Sequence, residues 1–347
     1  ETDELMAIMR QLADAGTSIV FITHKLREVR AVADEITVIR RGTVVGEASP
    51  QDSESELANK MVGRSVMMRV DKADAHPSGG GLEFKEISML SPTGLPLLDH
   101  VSFTVERGEI VAVAGVQGNG QTELAQTILG LATPNSGEIL LEGIDITHAN
   151  PRKSLDAGIG FIPEDRSTDG IISSFSIAEN LVLDQYKDSR FAAGPMLKLG
   201  IIAQNARAKE KEFDIRLTSI SDPISSLSGG NQQKVVVARE MSKDLNLLVA
   251  NQPTRGVDVG SIEFIHKRIV EVRDQNIPVL LISSELDEVI SLADRIVVMY
   301  RGRVMGIVPA DTPRDVLGLM MAGVPYDEAI AGEQENAEVS DSHEEEK

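Results

Sequence analysis

Short apolar runs alternate with longer helical patterns along most of the chain. The runs at 109–114, 246–250 and 279–282 are rich in Val, Ile and Leu and have the length of buried strands. Between them, apolar side chains recur three or four positions apart, as they do in amphipathic helices. Strands that are apolar throughout and alternate with helices are typical of a mostly parallel sheet covered by helices. The pattern therefore predicts an α/β fold.

The same pattern contains an internal repeat. The apolar strand pattern at 18–24 matches that at 278–284, an offset of 260 positions. This offset also pairs Ala33 with Ala293, Asp34 with Asp294, Arg41 with Arg301, Gly42 with Gly302, Gly46 with Gly306, Met61 with Met321 and Gly63 with Gly323. A gapless register of this length predicts two copies of one domain.

The repeat divides the chain into four parts. The first residue is Glu1, which opens a helical pattern, and we expect 1–70 to be the C-terminal remnant of the first copy. Residues 71–81 have the composition of a flexible linker. The second copy is predicted to be complete over 82–325. Residues 326–347 are rich in Glu, Asp, Asn and Ser, and we expect a disordered acidic tail there.

Composition narrows the classes of function. The 347 residues include 41% hydrophobic ones, enough for packed cores, but no apolar run approaches the roughly 20 residues of a membrane helix. The formal net charge of -20 argues against a nucleic-acid partner, which favours a basic face. The chain contains no Cys, so disulfides and thiolate metal sites are excluded. A cytoplasmic setting fits these features best.

A candidate phosphate-binding loop follows the strand at 110–114. Residues 115–122 read Gly-Val-Gln-Gly-Asn-Gly-Gln-Thr and precede a predicted helix at 123–129. The glycines let backbone N–H groups approach phosphate oxygens at a helix N-terminus. Gln121 stands where a Lys is expected, so the point charge that reaches the outer phosphates is missing. Taken alone, the loop fits an ordinary glycine-rich turn equally well.

Two further motifs follow the loop in order. Residues 227–234 read Leu-Ser-Gly-Gly-Asn-Gln-Gln-Lys and resemble the signature sequence of ATP-binding cassette (ABC) ATPases. Residues 247–258 read Leu-Leu-Val-Ala-Asn-Gln-Pro-Thr-Arg-Gly-Val-Asp and lie at the spacing of that family. The resemblance implies a RecA-like P-loop ATPase core, an antiparallel β subdomain near the start of the second copy and an α-helical subdomain around 175–220. It also implies ATP and Mg²⁺ as cofactors.

The second copy departs from the family at several polar positions. Where the family has the Asp that holds the magnesium shell and the Glu that acts as base, this chain has Asn251 and Gln252. Ser284 replaces the switch histidine, and Glu164 replaces a glutamine. An amide neither accepts a proton at neutral pH nor offers a full charge to a metal. We therefore expect a site that no longer performs chemistry.

The nucleotide-site residues of the second copy are predicted from its motifs, with Thr122 also a weak magnesium ligand. They are Gly115, Gly118, Asn119, Gly120, Gln121, Thr122, Glu164, Asn251 and Gln252.

The first copy keeps the residue that the second has lost. The repeat aligns His24 with Ser284, and the resemblance implies that His24 contacts the γ-phosphate and positions the attacking water. In the family, cassettes pair head to tail, so each ATP lies between the phosphate loop of one copy and the signature of the other. Ser228, Gly229 and Gly230 would then serve, together with His24, an ATP bound to the first copy.

The residues within these motifs indicate a particular group of the ABC family. Together with the tandem arrangement, the motifs resemble the second cassette of ribose-type importers for simple sugars and nucleosides. The resemblance implies integral-membrane permease subunits as partners, an extracytoplasmic solute-binding protein as an indirect partner, and a peripheral position on the cytoplasmic face of the membrane. We expect the chain by itself not to hydrolyse ATP.

Other classes of function are weighed against an importer subunit. The main alternative is a non-catalytic regulatory nucleotide-binding cassette. A soluble ABC protein of translation would have a longer basic linker and two competent sites. A DNA-repair ABC ATPase would have a coiled-coil insertion or Cys-rich zinc modules, and the sequence has neither.

Overall fold

The computed structural model describes residues 2–23, 25–40, 42–63 and 70–331. The helices are α1 (Thr2–Asp14), α2 (Leu26–Val32), α3 (Glu54–Val62), α4 (Gln121–Ile128), α5 (Pro151–Asp156), α6 (Ile177–Asn180), α7 (Leu199–Glu212), α8 (Gly229–Glu240), α9 (Val259–Asp274), α10 (Leu286–Leu292) and α11 (Arg314–Met321). The strands are β1 (Ile36–Arg40), β2 (Thr43–Ala48), β3 (Leu82–Leu90), β4 (Pro96–Val105), β5 (Ile110–Ala114), β6 (Ser136–Leu141), β7 (Ile144–Asp145), β8 (Ile159–Ile162), β9 (Ala192–Ala193), β10 (Met196–Leu197), β11 (Leu247–Asn251), β12 (Val279–Ser283), β13 (Arg295–Tyr300) and β14 (Arg303–Pro309).

The chain divides into two compact units. The first unit comprises Glu1–Val70 with Gly256–Phe264, and the second comprises Asp71–Arg255 with Ile265–Lys347. The division after Val70 coincides with the predicted start of the linker, but 256–264 groups with the first unit although the sequence assigns it to the second copy. In the part of the chain that the structure describes, every helix is too short or too polar to span a bilayer.

The first unit packs its helices around a small core. The buried residues Leu26, Leu57, Ala58 and Val259 form this core, and β1 pairs with β2 as an antiparallel hairpin. A capping box begins α3, because the Ser53 hydroxyl accepts the Glu56 N–H while the Glu56 carboxylate accepts the Ser53 N–H.

The strand that the sequence predicts within 18–24 does not form in its described residues, 18–23. Residues 17–23 have no regular secondary structure, and the side chains of Val20 and Ile22 are 90% and 92% exposed. The matching strand β12 is hydrogen-bonded on both sides, to β5 and to β11. No described residue of the first unit provides such a neighbour, and an isolated segment cannot satisfy its backbone groups as a strand.

The second unit is built on a six-stranded sheet in the order β14-β13-β5-β12-β11-β8. All neighbouring pairs are parallel except β13 and β14, which form an antiparallel edge. The residues of β5, β11 and β12 are all buried, as expected for strands covered on both faces. The predicted α/β fold is confirmed.

An antiparallel sheet and a helical region complete the second unit. The antiparallel sheet has the order β4-β3-β6-β7, and its buried side chains join one core with those of β5, β11 and β12. The helical region contains α6, the short hairpin β9-β10 and α7, and it leads into α8. These elements confirm the antiparallel and α-helical subdomains that the family resemblance implies.

A buried charge cluster holds α8 against its surroundings. The Glu240 carboxylate accepts the Phe161 N–H at 3.0 Å and pairs with Arg239 and Lys243. Arg239 Nη1 donates to the carbonyl of Gly170 at 2.8 Å. Burial raises the pKa of Glu240, but the two cations more than reverse that effect, and the pKa lies below its usual range.

Parts of the predicted linker and of the predicted tail contact the rest of the second unit or form regular structure. Lys72 Nζ contacts Asp294 Oδ1 at 2.6 Å and the carbonyl of Leu292 at 2.9 Å, so the predicted linker is held although it has no regular secondary structure. We expected a disordered tail from 326, but 326–331 is helical and Ala329 is buried. The rest of the predicted tail, 332–347, lies outside the described residues.

Replacing Glu240 with Ala is expected to lower the free energy of unfolding by about 3 kcal/mol, because it removes one of the two carboxylates that face Arg239 and Lys243 and leaves only Asp184 opposite them. Urea unfolding followed by circular dichroism measures the change. Asp156→Ala is the matched control, since it removes an exposed pair with Arg152 and should cost less than about 1 kcal/mol. Equal effects of the two variants would contradict the role of the buried cluster.

Candidate nucleotide-binding site

Four parallel strands bring the predicted site residues to one edge of the sheet. Neighbouring strands in the order β5-β12-β11-β8 end at Ala114, Ser283, Asn251 and Ile162. Carboxyl ends of parallel strands lie at the same edge, where α/β proteins bind ligands. The phosphate loop at 115–122, together with Glu164, Gln252 and Ser284, follows directly from these ends.

The phosphate loop leads into α4 through Gly120. Gly120 has a φ of 103°, in the left-handed region, and a β-carbon there would lie 2.8 Å from the carbonyl oxygen of Leu97. Asn119 fastens the loop to the turn between β13 and β14, since its Oδ1 accepts the Arg301 N–H at 2.9 Å and its carbonyl accepts the Gly302 N–H at 3.0 Å. The backbone at Leu97 and in the turn between β13 and β14 therefore packs closely against the loop.

The side chain of Gln121 lies inside the loop. Its Oε1 accepts the Asn119 N–H at 3.0 Å, and its Nε2 donates to the Val116 carbonyl at 3.1 Å. Only 8% of Gln121 is exposed. The residue that replaces the expected Lys thus makes hydrogen bonds within the loop itself.

A second contact joins the loop to the end of β8. Gln117 Nε2 donates to Glu164 Oε1 at 2.8 Å, and the same carboxylate forms an ion pair with Arg255. Arg166 Nη1 donates to the Arg255 carbonyl at 3.0 Å, which steadies this arrangement. The charge of Glu164 is therefore balanced within the chain.

The turn after Glu164 is shaped by Asp165. Its carboxylate accepts the Ser167 N–H at 2.8 Å and also bonds Thr168, at the start of a π-helical turn at Arg166–Gly170. The Ser167 N–H and the bonds from Thr168 hold the pKa of Asp165 below its usual range. Asp165 therefore remains a charged cap of this turn at neutral pH.

Amides occupy the positions where carboxylates are expected. Asn251 is buried at the end of β11, and Gln252 follows with a φ of 49°. Gln252 Nε2 lies 3.0 Å from the Ser284 hydroxyl. The residues that replace the base and the switch histidine thus contact each other, and neither can accept a proton at neutral pH.

The oxygen ligands at this edge do not suit a resident magnesium ion. Thr122 is exposed at the start of α4 and Asn251 is buried, so both supply neutral oxygens. The carboxylate of Glu164, which bonds Gln117 of the loop, is already paired with Arg255. Among the described residues, no cluster of three or more His, Asp or Glu side chains can hold a metal. The magnesium role of Thr122 stays a prediction.

The signature residues lie on a different element. Ser228 is the N-cap of α8, Gly229 and Gly230 are its first residues, and the Ser228 hydroxyl accepts from Asn231 Nδ2 at 2.9 Å. Gln233 Nε2 donates to the Pro253 carbonyl at 2.7 Å and so ties α8 to the segment after β11. The N-terminus of a helix favours an anion, and Ser228 is exposed there.

His24, the remaining predicted catalytic residue, lies outside the described residues. Its role therefore stays a prediction.

Sequence reasoning missed three participants in the site. Gln117 and Arg255 were read only as parts of motifs, and the tether between Asn119 and the turn at 301–302 was not foreseen. The only sign of this ion pair in the sequence is that Glu164 and Arg255 carry opposite charges. Nothing in the sequence places those two residues next to each other.

The family model for ABC transporters matches residues 98–255. The glucose import ATP-binding protein TsgD13 of Haloferax volcanii is 44% identical over 96% of this chain and 62% of its own length. The nucleoside import ATP-binding protein NupA of Lactococcus lactis is 46% identical over 93% of this chain and 64% of its own length. The chain thus spans just under two thirds of the length of these curated relatives.

Solved structures agree on the fold. The ATP-binding cassette MJ1267 superposes with a TM-score of 0.61 at 21% identity and covers 71% of this chain and 99% of MJ1267. The bacterial ABC transporter cassette MJ0796 gives a TM-score of 0.58 at 20% identity and covers 67% of this chain and all of its own length. The chain belongs to the ABC ATP-binding proteins and is homologous to those of sugar and nucleoside importers, as the motifs predicted.

The double substitution Asn251→Asp with Gln252→Glu is expected to leave phosphate release by this chain at background. It would return the missing carboxylates, but Gln121 would still fill the loop and Ser284 would still replace the switch histidine. Release of phosphate from ATP in the presence of Mg²⁺ checks this, with Gln252→Glu alone as the control. Turnover above about 1 per second, the lower end of ordinary enzymes, would contradict it.

Proposed function

We propose that this chain is part of the ATP-binding subunit of an ABC importer for a simple sugar or a nucleoside. The observation that carries the proposal is the contrast between an intact signature at the start of α8 and a site where amides stand in place of the Lys, Asp and Glu of the family. The names of its relatives, which are import ATP-binding proteins for glucose and for nucleosides, support the same class of solute.

In this proposal the second copy contributes its signature residues to catalysis at the nucleotide site of the first copy, and its own phosphate loop takes no part in hydrolysis. Ser228, Gly229 and Gly230 face an ATP that is bound, with Mg²⁺, to the phosphate loop of a complete first copy. The exposed helix N-terminus of α8 suits the phosphate oxygens electrostatically. His24 acts at that same site and orients the attacking water. The domain assignment proposed from the repeat, with a first-copy remnant at 1–70 and a second copy at 82–325, underlies this arrangement.

The loop at 115–122 then has a supporting role. Its residues and Glu164, Asn251 and Gln252 hold nucleotide as a structural clamp, without hydrolysing it. A purely regulatory cassette is the second candidate function. The observation that favours it is the pairing of Gln117 with Glu164 and of Gln252 with Ser284, which satisfies these polar groups within the chain.

The partners follow from the importer class. We infer that permease subunits in the membrane bind the second copy around Glu164 and the helical region that follows it. An extracytoplasmic solute-binding protein would deliver the solute to those permeases. The subunit would lie on the cytoplasmic face of the membrane as a peripheral protein.

ATP turnover in a tandem protein that carries a complete first copy tests the composite site. His24→Ala is expected to lower turnover by about 100-fold or more, a typical effect of removing one group that stabilises the transition state. Ser284→Ala is the matched control, because Ser284 occupies the equivalent position 260 residues later. We expect the control to retain turnover within about twofold, since a side chain outside the reacting site removes no transition-state stabilisation.

The isolated chain provides the complementary measurement. It is expected to release no phosphate above background, since the loop that would bind the hydrolysed ATP belongs to the first copy. Equal losses from His24→Ala and Ser284→Ala, or rapid turnover by the isolated chain, would overturn the proposal. Turnover that does not rise when a complete first copy is supplied would favour the regulatory cassette.

A further inference from the structure

The Gln121 amide spans the interior of the phosphate loop from one limb to the other. It joins the Asn119 N–H to the Val116 carbonyl through bonds of 3.0 and 3.1 Å. It also lies against the first glycine of the loop, because a β-carbon at Gly115 would lie 2.4 Å from Gln121 Nε2. The space enclosed by the loop therefore contains a side chain of the protein itself.

The chemistry of an amide explains why a Gln can close this loop and a Lys cannot. Loops of this kind hold phosphate through inward-pointing backbone N–H groups. A Lys ammonium has three donors and no acceptor, so it leaves those N–H groups for the ligand. A Gln amide has both a donor and an acceptor, and here its oxygen already accepts the Asn119 N–H. A phosphate oxygen that approaches Asn119 N must displace the oxygen of Gln121.

Other groups of the loop also form hydrogen bonds within the chain. Asn119 is bonded to Arg301 and Gly302, and Gln117 is bonded to Glu164, whose charge is balanced by Arg255. These contacts hold the part of the loop that precedes Gln121. The closed conformation is therefore stabilised by the chain alone.

We propose that Gln121 is an internal competitor of nucleotide phosphate and determines how weakly the second copy binds nucleotide. The inference rests on the proposed function of the loop as a site that does not hydrolyse ATP. Nucleotide binds after the amide leaves the Asn119 N–H and the Val116 carbonyl. Shortening the side chain therefore strengthens binding, whereas removal of a ligand-contacting residue would weaken it.

Gln121→Ala tests the proposal in the chain as it stands, whose one recognisable phosphate loop is at 115–122. Titration with a fluorescent ATP derivative is expected to show roughly tenfold tighter binding, equivalent to about 1.4 kcal/mol. Gln126→Ala removes the same type of side chain from the same helix, α4, and should leave the affinity unchanged. Unchanged or weaker binding by Gln121→Ala would overturn the proposal.

Two further measurements separate competition from loss of folding. Gln121→Glu keeps an acceptor for the Asn119 N–H but adds a negative charge, so it should bind the nucleotide more weakly than the parent chain. Without nucleotide, hydrogen exchange at the Asn119 amide should be faster in Gln121→Ala than in the parent, and nucleotide should restore its protection. Failure of either result counts against Gln121 as the competitor. The proposed importer function is tested separately, by ATP turnover of the tandem protein, and its outcome does not depend on the nucleotide affinity of the Gln121 variants.

Discussion

Parallel backbone pairing in the central sheet is the constraint on which the rest of this structure depends. Each buried strand must satisfy its N–H and C=O groups with two neighbours, and β12 does so between β5 and β11. That pairing aligns the carboxyl ends of the strands and thereby assembles the phosphate loop, Gln252 and Ser284. The matching segment at 17–23 has no such neighbour among the described residues, and it forms no strand.

At the candidate nucleotide site, several polar side chains form hydrogen bonds within the chain. Gln121 bonds within the loop, Gln117 bonds Glu164, and Gln252 bonds Ser284. Each contact satisfies polar groups within the chain, either through neutral groups or through a carboxylate that is also paired with Arg255. Of the residues that depart from the family pattern, Gln252 and Ser284 bond each other, and Gln121 bonds the backbone of its own loop.

The signature helix is held by a different kind of interaction. The buried carboxylate of Glu240 and its two cations fix the C-terminal end of α8, and Gln233 ties its first turns to Pro253. Its N-terminal residues Ser228 and Gly229 are left accessible. The second unit therefore combines a phosphate loop filled by the side chain of Gln121 with an accessible helix N-terminus, which is the asymmetry that the proposed function requires.

The sequence by itself determined the fold class, the family and the position of every motif. Strand length, helical spacing and the Gly-rich loop are local features, and they correctly located β5, β11, β12 and α4. The loss of chemical groups at Asn251, Gln252 and Ser284 was equally visible, because it depends only on residue identity.

Only the tertiary structure decided which of these residues meet. The ion pair of Glu164 with Arg255 joins segments far apart in the chain, and the absence of a strand at 17–23 depends on neighbours that the segment itself does not reveal. The bonds of Gln121 are local, but they depend on how the loop folds back on its own side chain. Local patterns encode the elements, whereas side-chain pairing depends on how the sheet brings their ends together.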